Sequence, residues 1–92
     1  VDVTAGNGET IEYGVAEAVW KQLAGILRAR IRDGRYQPRY AIPSEKQLEQ
    51  EFGIARGTAR KAIAALRSDG LVVTVAGRGT YVADPLPDEG EG

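Results

Sequence analysis

The chain has 92 residues, 42% of them hydrophobic, and a formal net charge of −1, which fits one small domain and leaves no room for two. It contains no cysteine and no histidine, which removes disulfides, thiolate metal sites and the commonest general base. No apolar run approaches the roughly 20 residues of a membrane span, and Val1-Asp2-Val3 lacks the basic-then-apolar opening of a signal peptide, so the expected location is the cytoplasm.

Residues 1–14 carry Gly6, Asn7, Gly8 and Gly14 without periodicity and read as a flexible N-terminal segment. From about 15 to 33, Val19, Trp20, Leu23, Ile26, Leu27 and Ile31 recur at helical spacing. Arg28, Arg30 and Arg32 are expected to face away from that stripe or to flank it, and Gly34 supplies the stop. Gln37 to Ile42, between Pro38 and Pro43, is too short for more than a single bridge of strand. Ser44 and Gln47 form a capping box, which predicts a short helix over about 45–52 with Leu48 and Phe52 facing inward and Gly53 ending it. Gly53, Ile54 and Ala55 alone separate it from a third helix over about 56–69, whose stripe is Ala59, Ala62, Ile63 and Leu66 and whose stop is Gly70. Two helices joined by so short a turn are a helix-turn-helix. Over about 71–83, Leu71 to Val75 and Thr80 to Ala83 flank a glycine-rich turn and predict a β-hairpin, hence a wing. The fold class is therefore mainly α with a small β-hairpin: a three-helix winged helix-turn-helix over 15–83. An acidic linker or tail follows over 84–92, of a composition that suits either a following domain or the end of a naturally short protein.

Charge is segregated along this frame. Lys21 to Arg78 holds all twelve basic residues and five acids, a surplus of seven bases, while the other eight acids lie at the two ends. At about 100° per residue, Arg56, Arg60 and Arg67 form a narrow ridge beside the buried stripe of the third helix, with Gly57 and Ala64 adding little bulk. A helix entering a major groove needs long donors at its leading end and small residues where backbone must come close. Arg56 and Arg60 are the candidates for base edges, Thr58 for a phosphate or a thymine methyl, and Lys61 and Arg67 for phosphate or solvent. Arg78, between Gly77 and Gly79 at the tip of the wing, is placed to reach a minor groove or the backbone, and Thr80 opens the wing's second strand beside it. Glu45, Glu49 and Glu51 near Lys46 read as a structural charge cluster, and Trp20 as a core or interface residue. No catalytic constellation is present: Ser44 has no histidine to activate it, and Gly77-Arg78-Gly79 lacks the context of a phosphate-binding loop, so the chain is not expected to be an enzyme or to hold a cofactor or metal. A different class stays open, a winged helix that binds an acidic protein partner through the same basic ridge.

Trp20-Lys-Gln-Leu-Ala24, Gly34-Arg-Tyr-Gln-Pro38, Ile42-Pro-Ser-Glu-Lys-Gln-Leu48, Phe52-Gly-Ile54, then Arg56, Thr58, Arg60, Ala62 and Leu66, and finally Gly77-Arg-Gly-Thr-Tyr-Val82 follow one another in order. Together they resemble the gluconate-operon-repressor (GntR) family over about residues 19–83. The resemblance implies an N-terminal DNA-binding domain of a homodimeric regulator, expected to be a repressor, that binds a palindromic double-stranded operator. It also implies a small-molecule effector bound by a C-terminal domain outside this chain. Carried over residue by residue, the family's contacts fall on Lys46, Ala55, Arg56, Arg60, Gly77 and Arg78. The chain departs from the family pattern in four places. Lys46 stands for the usual Arg, which weakens bidentate recognition. Ala55 stands for a capping Ser or Thr, at about 1 kcal/mol, and Gly57 for a hydroxyl residue, at roughly another 1 kcal/mol of helix propensity. Arg39 stands for the Gly of a Pro-Gly turn. A frayed start to the third helix is expected.

Overall fold

The structure, a computed structural model, describes residues 3–4 and 8–87. In chain order it contains β1 (Val3–Thr4), β2 (Thr10–Ile11), α1 (Val19–Arg32), α2 (Glu45–Phe52), α3 (Arg56–Ser68), β3 (Val72–Val75) and β4 (Gly79–Val82). The amphipathic stripes dictate the packing. Leu23, Ala24, Leu27 and Ile31 of α1 meet Ala59, Ala62, Ile63 and Leu66 of α3, and Leu48 and Phe52 of α2 close the third side. Leu71, Val72 and Val82 seat the base of the β3–β4 hairpin on the same core.

Three of the helix ends have a plain local cause. Gly34 and Gly70 take left-handed φ of 89° and 77°, and Arg35 and Leu71 donate back to the carbonyls of Arg30 and Leu66 at 2.9 and 3.0 Å, the Schellman arrangement. The capping box forms as the sequence predicts: Gln47 N donates to Ser44 Oγ at 3.1 Å, and Ser44 N donates to Gln47 Oε1 at 2.8 Å. Val72 pairs with Val82, Val73 with Tyr81, Thr74 with Thr80 and Val75 with Gly79, and Arg78 N closes the turn on Val75 O at 3.0 Å. Ala41 adds the expected single bridge, to Tyr81.

Four expectations are corrected. α1 begins at Val19 rather than near 15: the Gln22 side chain bonds the backbone of Glu12 in both directions at 2.8 Å and the Glu17 carbonyl at 3.0 Å, which holds the preceding chain out of the helix. The segment read as a flexible lead-in pairs Val3 with Ile11 and Thr4 with Thr10, and it delivers Ile11 to the core with no exposure. The tail is anchored where it is described. Leu86 packs against the core and Arg32 Nη1 donates to Pro87 O at 2.8 Å, while residues 88–92 lie outside the described residues.

Fourth, Arg30 does not flank the stripe; it is 3% exposed. It lies about 20° from Leu23 on the helix circumference, inside the apolar arc. Its guanidinium bridges Glu9 at 2.5 Å and Glu51 at 2.6 Å, bonds the Tyr36 hydroxyl, and stacks on Phe52 with 5.3 Å to the ring centroid. Burial opposes the charge, but the bonds from Glu51, Glu9 and Tyr36 outweigh it and hold the group protonated. Burial also raises the pKa of the Tyr36 phenol, against the pull of Arg30.

Candidate nucleic-acid interface

The leading end of α3 is open. Ala55 has the extended backbone of an N-cap, φ −75° and ψ 155°, but offers no side-chain acceptor, and the first turn holds no acid. Arg56 and Arg60 follow one turn apart, with side chains 72% and 60% exposed. Glu45, in the first turn of α2, lies between them, with one carboxylate oxygen 3.7 Å from each Nε. At that distance these are ion pairs rather than hydrogen bonds, and exposed pairs of this kind contribute about 0–1 kcal/mol. Their effect is positional: they gather two guanidinium groups at one spot through Nε.

Lys46 is exposed beside them, and Glu45, Lys46, Glu49 and Arg56 line a shallow open depression where α2 meets α3. At Gly57 nothing lies within 4 Å of the position a Cβ would take. The glycine therefore relieves no clash inside the fold and leaves the outer side of α3 bare. Thr58 is half-buried. Lys61, on the far edge of the same exposed side, stands over the Trp20 ring of α1, 4.9 Å from its centroid.

Arg67 does not complete the ridge. Its Nε donates to Thr74 Oγ1 of β3 at 3.1 Å, and Thr74 shares a 3.4 Å contact with the Thr80 hydroxyl of β4. The third member of the ridge thus ties α3 to the wing. At the tip, Gly77 and Gly79 take φ of 76° and 131°, conformations that favour glycine, and they present Arg78 outward. Among the described residues the Arg78 side chain has neither hydrogen bond nor ion pair; its carbonyl accepts from Tyr81 Oη at 3.4 Å.

The structure therefore brings Arg56 and Arg60 together at Glu45 with Lys46 beside it and Ala55 at the helix end, puts Gly57 and Lys61 on the exposed side of α3 with half-buried Thr58 at its margin, and holds Gly77, Arg78 and Thr80 on the wing. Two participants escaped the reading of the sequence. Glu45 reads in the sequence as part of a structural charge cluster, and Trp20 as a core or interface residue; the contacts of both cross between helices that periodicity treats singly.

Three helices with a tight α2–α3 turn and a β-hairpin seated behind α3 define the winged helix-turn-helix class. The family model described as bacterial regulatory proteins, gntR family, matches residues 20–82, and the chain belongs to that family. It is 37% identical over 71 residues to the HTH-type transcriptional repressor NagR of Bacillus subtilis (strain 168), covering 77% of this chain and 29% of that protein. It is 41% identical over 67 residues to the histidine utilization repressor of Pseudomonas putida, covering 73% of this chain and 27% of that protein. Among solved structures, the AraR DNA-binding domain in complex with operator ORE1 superposes with a TM-score of 0.72 at 38% identity, covering 78% of this chain and 88% of that one. The chain thus spans less than a third of the length of these two curated relatives.

Proposed function

We propose that this chain is the operator-reading domain of a bacterial transcriptional repressor that acts in the cytoplasm. In this reading α3 enters the major groove of double-stranded DNA with Arg56 and Arg60 on base edges, guanine O6 and N7 being the best-matched acceptors. Lys46, Thr58 and the open amides at Ala55 meet the flanking phosphates, Gly57 lets the α3 backbone approach, and Gly77, Arg78 and Thr80 reach the minor groove or the backbone beside it. One observation carries the proposal. Two exposed arginines are gathered by Glu45 on the open end of α3, in a chain 38% identical to a domain solved on its operator.

The relatives are more than three times as long as the matched region. A C-terminal domain that binds a small effector, joined through residues 84–92, and assembly as a homodimer on a palindromic site belong to the same proposal.

Selection from random duplex DNA, followed by anisotropy titration with Arg56→Ala and Arg60→Ala, tests the proposal. Each substitution is expected to weaken binding by about 1–3 kcal/mol and to relax preference at one base position. Equal losses on selected and scrambled duplexes would overturn the base-reading roles. Binding of an acidic protein with no enriched DNA sequence would replace the function.

A further inference from the structure

Cations in this molecule fall into two groups. Arg28, Arg30, Arg35, Arg39, Arg56 and Arg60 each face a carboxylate. Arg32 and Arg67 are tied to Pro87 O and the Thr74 hydroxyl. Among the described residues that leaves Lys21, Lys46, Lys61 and Arg78 with no hydrogen-bond or ion-pair partner. Lys46 and Arg78 already belong to the proposed interface, and Lys61 is a phosphate candidate from its place on α3. Lys21 and Lys61 come from different helices yet converge on one ring: their Nζ atoms lie 5.7 and 4.9 Å from the centroid of Trp20.

The convergence needs an explanation. Two ammonium groups brought to one aromatic side chain repel each other, and the attraction of each for the ring at an exposed site is weak. A carboxylate would resolve the repulsion within the fold, as Glu45 does for Arg56 and Arg60, but among the described residues none lies within 4 Å of either ammonium. Position supplies the rest. On α3, Lys61 lies about 140° around from Arg56 and about 100° from Arg60, so the lysine pair and the arginine pair border the exposed side of the helix from opposite edges. A helix seated in a major groove has a sugar-phosphate strand along each edge.

We infer that Trp20, Lys21 and Lys61 form a second anion-binding platform, which receives a backbone phosphate of the duplex on the side of α3 away from Glu45. The inference rests on the function proposed above and extends it to a partner surface contributed by α1. Contact with the Trp20 ring biases both long side chains toward the site before DNA arrives, so somewhat less freedom is lost when the phosphate is met. Phosphate contacts of this kind position the helix and carry no sequence information.

The test is the salt dependence of binding of the full chain to a selected and to a scrambled duplex, with Lys21→Ala, Lys61→Ala and Arg60→Ala compared. Each lysine substitution is expected to lower the slope of log Kobs against log salt by about 1, equally on both duplexes, with base preference unchanged. Trp20 is the only tryptophan in the chain, so its emission reports on the site directly. Bound duplex should shield it from acrylamide at low salt, and the lysine double variant should lose that shielding. Slopes that stay unchanged while the wild-type chain still binds would overturn the platform and leave the α3 reading standing. A lysine variant that shifts base preference would overturn the assignment to backbone. Failure of the wild-type chain to bind any duplex at low salt would overturn the function itself, and the platform with it.

Discussion

Arg39 is the one residue other than glycine with a left-handed backbone among the described residues, at φ 77°. It is the third residue of a turn that Tyr40 N closes on Gln37 O at 3.0 Å, with Pro38 in the second position. That is the pattern of a type II turn, whose third position favours glycine. A side chain there costs roughly 1–2 kcal/mol, and the 3.7 Å pair with Asp84, both partners well exposed, returns little of it. Arg39→Gly is therefore expected to stabilise the domain by about 1 kcal/mol, after allowance for the greater freedom of glycine in the unfolded chain. Urea unfolding midpoints of the two proteins check this, and a lower midpoint for the glycine variant would contradict it. The departure was legible in the sequence through the family pattern, which has Gly at this position of the turn. Arg30 was not legible. Arginine reads as surface from its type alone, and only the meeting of Glu9, Glu51 and Tyr36 from separate segments makes its burial tolerable.

At the scale of single elements, α2 and α3 show what a missing hydroxyl does. α2 opens on a complete capping box, whereas α3 opens on Ala55, which has no side-chain acceptor, and continues into an exposed Gly57. Both features lower the cost of unwinding the first turn of α3 without touching its packed second half. Ala55→Ser is expected to raise stability by about 1 kcal/mol. It should also slow amide exchange at Arg56 to Thr58 toward the protection expected at buried Leu66. Native-state hydrogen exchange checks both chains, and equal protection at Thr58 and Leu66 in the wild type would remove the idea of a loose leading turn. The three helix stripes, the glycine stops and the capping box could all be read along the chain, since each depends on neighbours within about four positions. Glu45 against Arg56 and Arg60, and Trp20 against Lys61, could not, since nothing local fixes how one helix is rotated against another.

For the molecule as a whole, the N-terminal segment closes the fold. A two-residue strand has no periodicity to detect, so β2 was invisible in the sequence, yet its Ile11 is as buried as Leu23 or Phe52. Ile11→Ala is expected to destabilise the domain by about 3 kcal/mol, within the usual range for a buried large-to-small change. A loss below about 1 kcal/mol by denaturant titration would mean that the segment does not hold its place in solution. Against a typical total of about 5–15 kcal/mol, such a loss is a large share for a domain this small. The family match begins at residue 20, so this core contact is supplied from outside the matched region.

The wing has a consequence beyond its own tip. Its base is fixed in the core by Val72 and Val82, each 1% exposed, and its side is joined to α3 through Arg67 and Thr74. The interval from the arginines of α3 to Arg78 is thus a dimension of the folded chain. In the reading proposed above, the two elements act as the jaws of one caliper, and a duplex would meet both at a spacing the fold sets.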